Sequence, residues 1–260
     1  MRPLYLAFVL WGCATAARDD GGNVVGGRPD GGGGGGGGDD AMVTLPIDAA
    51  PLPDAPPNME QVTLSQTNDT TMAVGRSVAC SSRDPFFGFT IATRDNSWYR
   101  VFDLSDYGVA GAFNVQRVTF YTDYADSGTG TTQPATIKVG TYAGTLEADT
   151  LDPAQIAYLA TAPVTIPNAD SANGVPPPIE TNISATIPAG QNLIVELALP
   201  DGYNDEHFFY IGVSAGGEAK KGYIRSTPSG CNMVQPKSLR SPGGLNIADN
   251  AILLTVTGTK

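Results

Sequence analysis

The sequence predicts an all-β fold: a single antiparallel two-sheet β-sandwich of about eight or nine strands, preceded by a disordered tether. Three observations carry this. The chain holds 32 Gly and 20 Pro with only 16% charged residues, a turn-rich profile poor in the residues that sustain long helices. Beyond about residue 61, apolar residues alternate with period two in short runs. Clusters of Gly, Pro, Asn and Asp separate those runs.

The first element is an address. The stretch "MRPLYLAFVLWGCATAARDDGG" carries one positive charge, an apolar run from Leu4 to Trp11, and then small residues, the pattern of a secretion signal too short to remain as a spanning helix. Two cleavage readings stay open. Leu10-Trp11-Gly12-Cys13 resembles the lipobox of bacterial lipoproteins, whose cysteine becomes the lipid-modified first residue. Ala14-Thr15-Ala16 fits the A-x-A pattern of ordinary signal peptidase. The expected organisation is therefore a signal peptide with lipobox over 1–13, a tether over 14–60 and a β-sandwich domain over 61–260, with Cys13 as the lipidation site.

The tether follows from composition. Residues 18–59 show no apolar periodicity and cannot bury enough surface to offset the entropy of ordering them. Their octaglycine at 31–38 lacks the Gly-Lys-Ser/Thr sequel of a phosphate loop and reads as a spacer. A Gly-rich coil of this length spans about 35–40 Å, and Pro46, Pro51, Pro53, Pro56 and Pro57 stiffen its far part. The net charge of −11 is spread without any basic run, which excludes the electrostatic footprint of nucleic-acid binding.

The strands come next. In "LIVELAL", Leu193, Val195, Leu197 and Leu199 share one face and Glu196 takes the other; in "AILLTVTG", Ile252, Leu254 and Val256 face inward. Further strands are expected over 98–103, 115–124, 135–142, 156–166, 179–187, 208–213 and 223–226, and 153–159 alone reads as a helical turn. The runs "NSWYRVFDLSDYG", "FNVQRVTF", "QPATIKV", "IPAGQNLIVEL", "FFYIG" and "GYIRSTPSGC" resemble a non-catalytic, jelly-roll-like β-sandwich module of bacterial secreted and surface proteins. That module is often appended to extracellular proteases and other hydrolases. The resemblance spans roughly 77–260 and implies a binding or structural role in the cell envelope. On an alternating strand Trp98, Arg100 and Phe102 share one side, and a guanidinium under aromatic cover needs a carboxylate, for which Asp103 or Asp106 is the expected partner.

Site chemistry is sparse. With Cys13 as anchor, Cys80 and Cys231 remain as a pair in an oxidising compartment and are expected to form a disulfide. Gly212-Val213-Ser214-Ala215-Gly216 matches G-x-S-x-G, the turn that exposes a serine nucleophile in α/β-hydrolases. No amphipathic helix follows it, and the sole histidine, His207, precedes the serine. A secreted serine hydrolase using Ser214 and His207 is thus the alternative, and a strand end with its glycine turn the preferred reading. A single histidine excludes an HExxH zinc pair. Asp201, Asn204, Asp205 and Glu206, then Asp123 and Asp126, then Asp170 and Asn173, are weighed as calcium loops; none has EF-hand spacing, and solvated turns are preferred. The sequons at Asn68 and Asn182 carry little meaning in a bacterial host. The expectation is a lipid-anchored envelope protein, held to the membrane or otherwise secreted, with no catalytic residue, metal or cofactor. Its partner would be a protein or glycan of the envelope or surface.

Overall fold

The computed structural model describes residues 13–15, 59–67, 69–83, 90–227, 231–240 and 250–260. Most of the expected signal peptide and tether lies outside these. In chain order the strands are β1 Cys13–Thr15, β2 Gln61–Leu64, β3 Val78–Arg83, β4 Thr90–Thr93, β5 Asn96–Phe102, β6 Phe113–Phe120, β7 Thr122–Asp126, β8 Thr132–Tyr142 and β9 Ile156–Pro167. They continue as β10 Ala169–Asp170, β11 Ile179–Ile187, β12 Asn192–Leu199, β13 Phe208–Ile211, β14 Val213–Ser214, β15 Gly222–Ser226, β16 Met233–Ser238, β17 Ala251–Ile252 and β18 Leu254–Thr259. Every pairing is antiparallel. The all-β class stands.

The strand count and the two-sheet arrangement are corrected. Among the described residues there are five sheets: six strands in the order β16-β15-β5-β12-β8-β9, four in the order β11-β6-β18-β2, and three small sheets, β1-β3-β4, β10-β7-β13 and β14-β17. For the sheets β10-β7-β13 and β14-β17 the physical reason lies at one junction. Tyr121 N–H donates to the Leu253 carbonyl (3.2 Å), Leu253 N–H to Gly212 (2.9 Å) and Gly212 N–H to Tyr121 (2.7 Å). Each of these residues interrupts a run that reads as one strand, dividing β6 from β7, β13 from β14 and β17 from β18. Each chain changes partner there, so a bend replaces a continuous ladder. Gly212 is required at this closest approach, because a Cβ on it would lie 2.6 Å from the Tyr121 Cβ.

The core follows the alternation. Trp98, Phe102, Leu193, Val195, Leu197, Ile137 and Val139 from the six-stranded sheet join Phe113, Val118, Phe120, Ile187, Leu254 and Val256 from the four-stranded sheet in one apolar cluster. Trp98 donates its indole N–H to the Val78 carbonyl (3.0 Å) and meets Phe209 edge to face at 5.3 Å. The other face of the six-stranded sheet is also covered, by a smaller cluster of Tyr99, Val101, Tyr142, Leu151, Ile194 and Tyr223. All seven residues of β5 are therefore buried. The expected helical turn shrinks to a 3-10 turn, Pro153–Gln155, after which β9 begins.

Candidate functional site

The outer face of the six-stranded sheet carries a row of polar and aromatic side chains. Register places Tyr223 of β15, Tyr99 of β5, Glu196 of β12 and Lys138 of β8 side by side. Glu196 points away from the main core, as alternation requires, yet it is only 1% exposed. Its carboxylate accepts from the Tyr99 hydroxyl (3.1 Å), from the Tyr158 hydroxyl, and from Lys138 Nζ, with which it forms an ion pair at 3.2 Å. Four strands are thereby stapled through one buried charge whose partners satisfy it. Burial, and then the Glu196 charge, pushes both phenols above the ordinary tyrosine range.

Arg225 completes the row. Its Nε donates to the Tyr99 oxygen (3.1 Å) and its Nη2 to Ser97 Oγ (3.3 Å). Burial opposes its charge, but Tyr99, Glu196 and Asp95 together more than offset this, and its pKa is raised. Lys138 Nζ stands 5.2 Å from the centre of the Tyr158 ring, which remains 41% exposed.

The segment 143–155 crosses this face to the sheet's far edge. Ser238 N–H donates to the Asp149 carbonyl and Leu151 N–H to the Pro236 carbonyl, both at 2.9 Å, and Thr150 forms a β-bridge with Lys237. Asp152 caps the 3-10 turn by accepting from Ala154 N–H (3.0 Å). Leu151 sits beneath, fully buried, and the Tyr223 hydroxyl donates to the Ala148 carbonyl (3.1 Å). Beside the segment opens a pocket of about 340 Å³ that includes Tyr142, Gly144, Asp152, Gln155 and Gln235 among its walls. A second pocket of about 450 Å³ lies elsewhere, between the turns bearing Ser127 and Asp205.

No protein-family profile, curated protein or solved structure matches this chain.

Cys80 and Cys231 form a disulfide across 151 residues, with Cα atoms 5.6 Å apart. The backbone of Cys13 stands opposite Cys80 in the β1–β3 ladder. Arg100 is fully buried on the inner face as expected, but its carboxylate is Glu218, at 3.1 Å, not Asp103 or Asp106. Asp103 caps the turn that follows it by accepting from Ser105 N–H, and Asp106 pairs with Lys220 at 3.1 Å. The three-residue reach from Arg100 to Asp103 is used up by the strand itself, which directs them to opposite faces. Burial draws the Arg100 guanidinium's pKa down, and Glu218 opposes that drop.

Ser214 is fully buried in the β14–β17 ladder, and its hydroxyl accepts from Gly216 N–H at 3.1 Å. His207 precedes β13, with its backbone carbonyl accepting from Thr93 N–H (2.9 Å). The acidic loops serve local turns and contacts. Asp201 pairs with Arg94 (2.7 Å), Asp170 caps a 3-10 turn, and Asp123 accepts from Gly75 N–H and from the Ser171 hydroxyl. No three His, Cys, Asp or Glu side chains converge on a metal-sized position among the described residues. Asn182 is exposed on β11, whereas Asn68 lies outside the described residues.

Sequence reasoning missed the Glu196 row and the pocket. Glu196 was legible as outward-facing; its burial was not, because Tyr158 arrives from a strand 38 residues away.

Proposed function

We propose that the chain is a bacterial lipoprotein of the cell envelope, anchored through Cys13, that carries a non-enzymatic binding module whose binding face is the outer side of the six-stranded sheet. The observation that carries this reading is that face itself: a pocket, an exposed Tyr158 and the cations Lys138 and Arg225 sit on a sheet whose other side forms the main core. The finer architecture proposed is a jelly-roll-like sandwich spanning 61–260, supported by the single apolar cluster that the two larger sheets share. The resemblance to accessory modules of secreted hydrolases points the same way.

Burial of Ser214 with its hydroxyl turned to Gly216 supports the non-catalytic reading over the hydrolase that would use Ser214 and His207, since a nucleophile must reach substrate and base.

Metabolic labelling with a fatty-acid analogue tests the anchor. The wild-type chain takes the label and Cys13→Ser does not; a mature protein beginning at Ala17 overturns the proposal.

A further inference from the structure

The pocket beside Tyr142 has a chemistry that narrows its ligand. At about 340 Å³ it lies at the small end of ligand sites, which run from roughly 300 to 1,000 Å³. No lysine, arginine or histidine lines it. Thr145, Thr150, Gln155 and Gln235 are among its lining residues, and their side chains make no hydrogen bond within the described chain. Each glutamine offers two donors and an acceptor, and each threonine one donor and acceptor lone pairs.

The floor is a buried phenol. Tyr142 is 2% exposed, and its oxygen accepts from Asp152 N–H at 3.4 Å, while its own proton has no acceptor among the described residues. Gly144 keeps that oxygen at the pocket, since a Cβ there would lie 2.3 Å from it. A buried donor without a partner is costly, and an incoming oxygen acceptor removes that cost.

These features discriminate among ligands. An apolar ligand would leave the buried Tyr142 hydroxyl without an acceptor and offers no partner to the amides and hydroxyls that line the pocket. An anionic ligand finds no cation within the pocket, and its one carboxylate, Asp152, repels it. An extended peptide needs a free strand edge, but the neighbouring edge strand β16 is bridged by Thr150. A sugar ring presents alternating hydroxyl donors and acceptors around its rim and a C–H face to an aromatic ring, and it satisfies all these groups together. Tyr158 extends the site: it lies two residues beyond Ile156, the cross-strand partner of Tyr142, and so on the same sheet face.

Resting on the reading of the outer face as the binding face, we infer that this pocket binds a neutral sugar unit of a glycan, with Tyr142, Gln155 and Gln235 as its recognition residues and Tyr158 as a platform for a neighbouring unit.

The test uses the full chain on an immobilised array of neutral and acidic oligosaccharides, followed by titration calorimetry with the best-retained neutral oligosaccharide. The expected result is retention of at least one neutral oligosaccharide. Its affinity should fall at least tenfold in Gln155→Ala/Gln235→Ala and in Tyr142→Phe, and should stay unchanged in Asp205→Asn/Glu206→Gln at the second pocket. Both glutamines are exposed, so the double variant should keep the wild-type melting temperature and isolate recognition from folding. Three outcomes overturn the inference: no neutral oligosaccharide is retained, binding survives the glutamine double variant, or binding is confined to acidic oligosaccharides and lost in Lys138→Met/Arg225→Met. In the first case, persistence of Cys13 labelling together with cross-linking of an envelope protein to this face leaves the module reading standing. Loss of both labelling and cross-linking removes the two readings together.

Discussion

Replacing Arg100 by Met removes a charge from the centre of the inner face and leaves its partner behind. The guanidinium is fully buried. It pairs with Glu218 at 3.1 Å, and donates to the Lys220 carbonyl at 3.0 Å and the Ile252 carbonyl at 2.7 Å. After the substitution the Glu218 carboxylate, 7% exposed, keeps only the Gly222 N–H at 2.8 Å. Breaking a buried ion pair from one side costs about 3–5 kcal/mol, because the surviving charge is neither solvated nor matched. For a domain of this size each kcal/mol moves the melting point by about 2–4 °C, so Arg100→Met should melt about 6–20 °C below wild type. Thermal unfolding followed by the fluorescence of buried Trp98 reads this directly. Glu218→Met added to Arg100→Met removes the orphaned charge. The double variant should be less destabilised than the two single variants summed, with a coupling of about 1–3 kcal/mol. Asp103→Asn should add independently, since Asp103 only caps the Ser105 turn. A melting point within 2 °C of wild type for Arg100→Met, or strong coupling to Asp103 in place of Glu218, refutes the buried-pair account.

Three further perturbations test the bridge, the strand junction and the buried phenols. Reduction of Cys80–Cys231 should lower the melting temperature with the β signature retained, by the equivalent of about 2–5 kcal/mol, because the bridge closes a 151-residue span in the unfolded chain; an unchanged midpoint on full reduction contradicts this. Gly212→Ala should destabilise by about 1–3 kcal/mol in chemical denaturation, since its Cβ meets the Tyr121 Cβ at 2.6 Å, and a neutral effect would mean the three-strand junction is looser than described. Tyr99 and Tyr223 have raised pKa values, chiefly through burial, so they stay protonated in the folded chain after the unfolded chain has begun to lose those protons near pH 10. Stability should be intact below that pH and fall above it by about 1.4 kcal/mol per pH unit for each of the two, and a melting point flat from pH 9 to 11 rules this out.

By itself the sequence determined the class, the faces and the bridge. Period-two alternation is a local property, so it is read without knowing any partner: 179–187 is a strand with the expected bounds, Trp98 and Phe102 face one core while Tyr99 and Val101 face another, and Cys80 pairs with Cys231 as expected. Partners are another matter. Arg100 needs a carboxylate, which the burial pattern announces, but Asp103 and Asp106 are near only along the chain; Glu218 becomes adjacent only when β15 lies beside β5 and brings the preceding turn with it. The same holds for the breaks at Tyr121, Gly212 and Leu253, which look like ordinary strand interior until three distant segments meet. Glu196 reads as a solvent-facing charge until Tyr158 crosses from β9, and the pocket exists only because 143–155 is drawn over the sheet to β16. Alternation specifies which side a residue faces; what stands opposite it is set by topology, and topology is where tertiary structure decides.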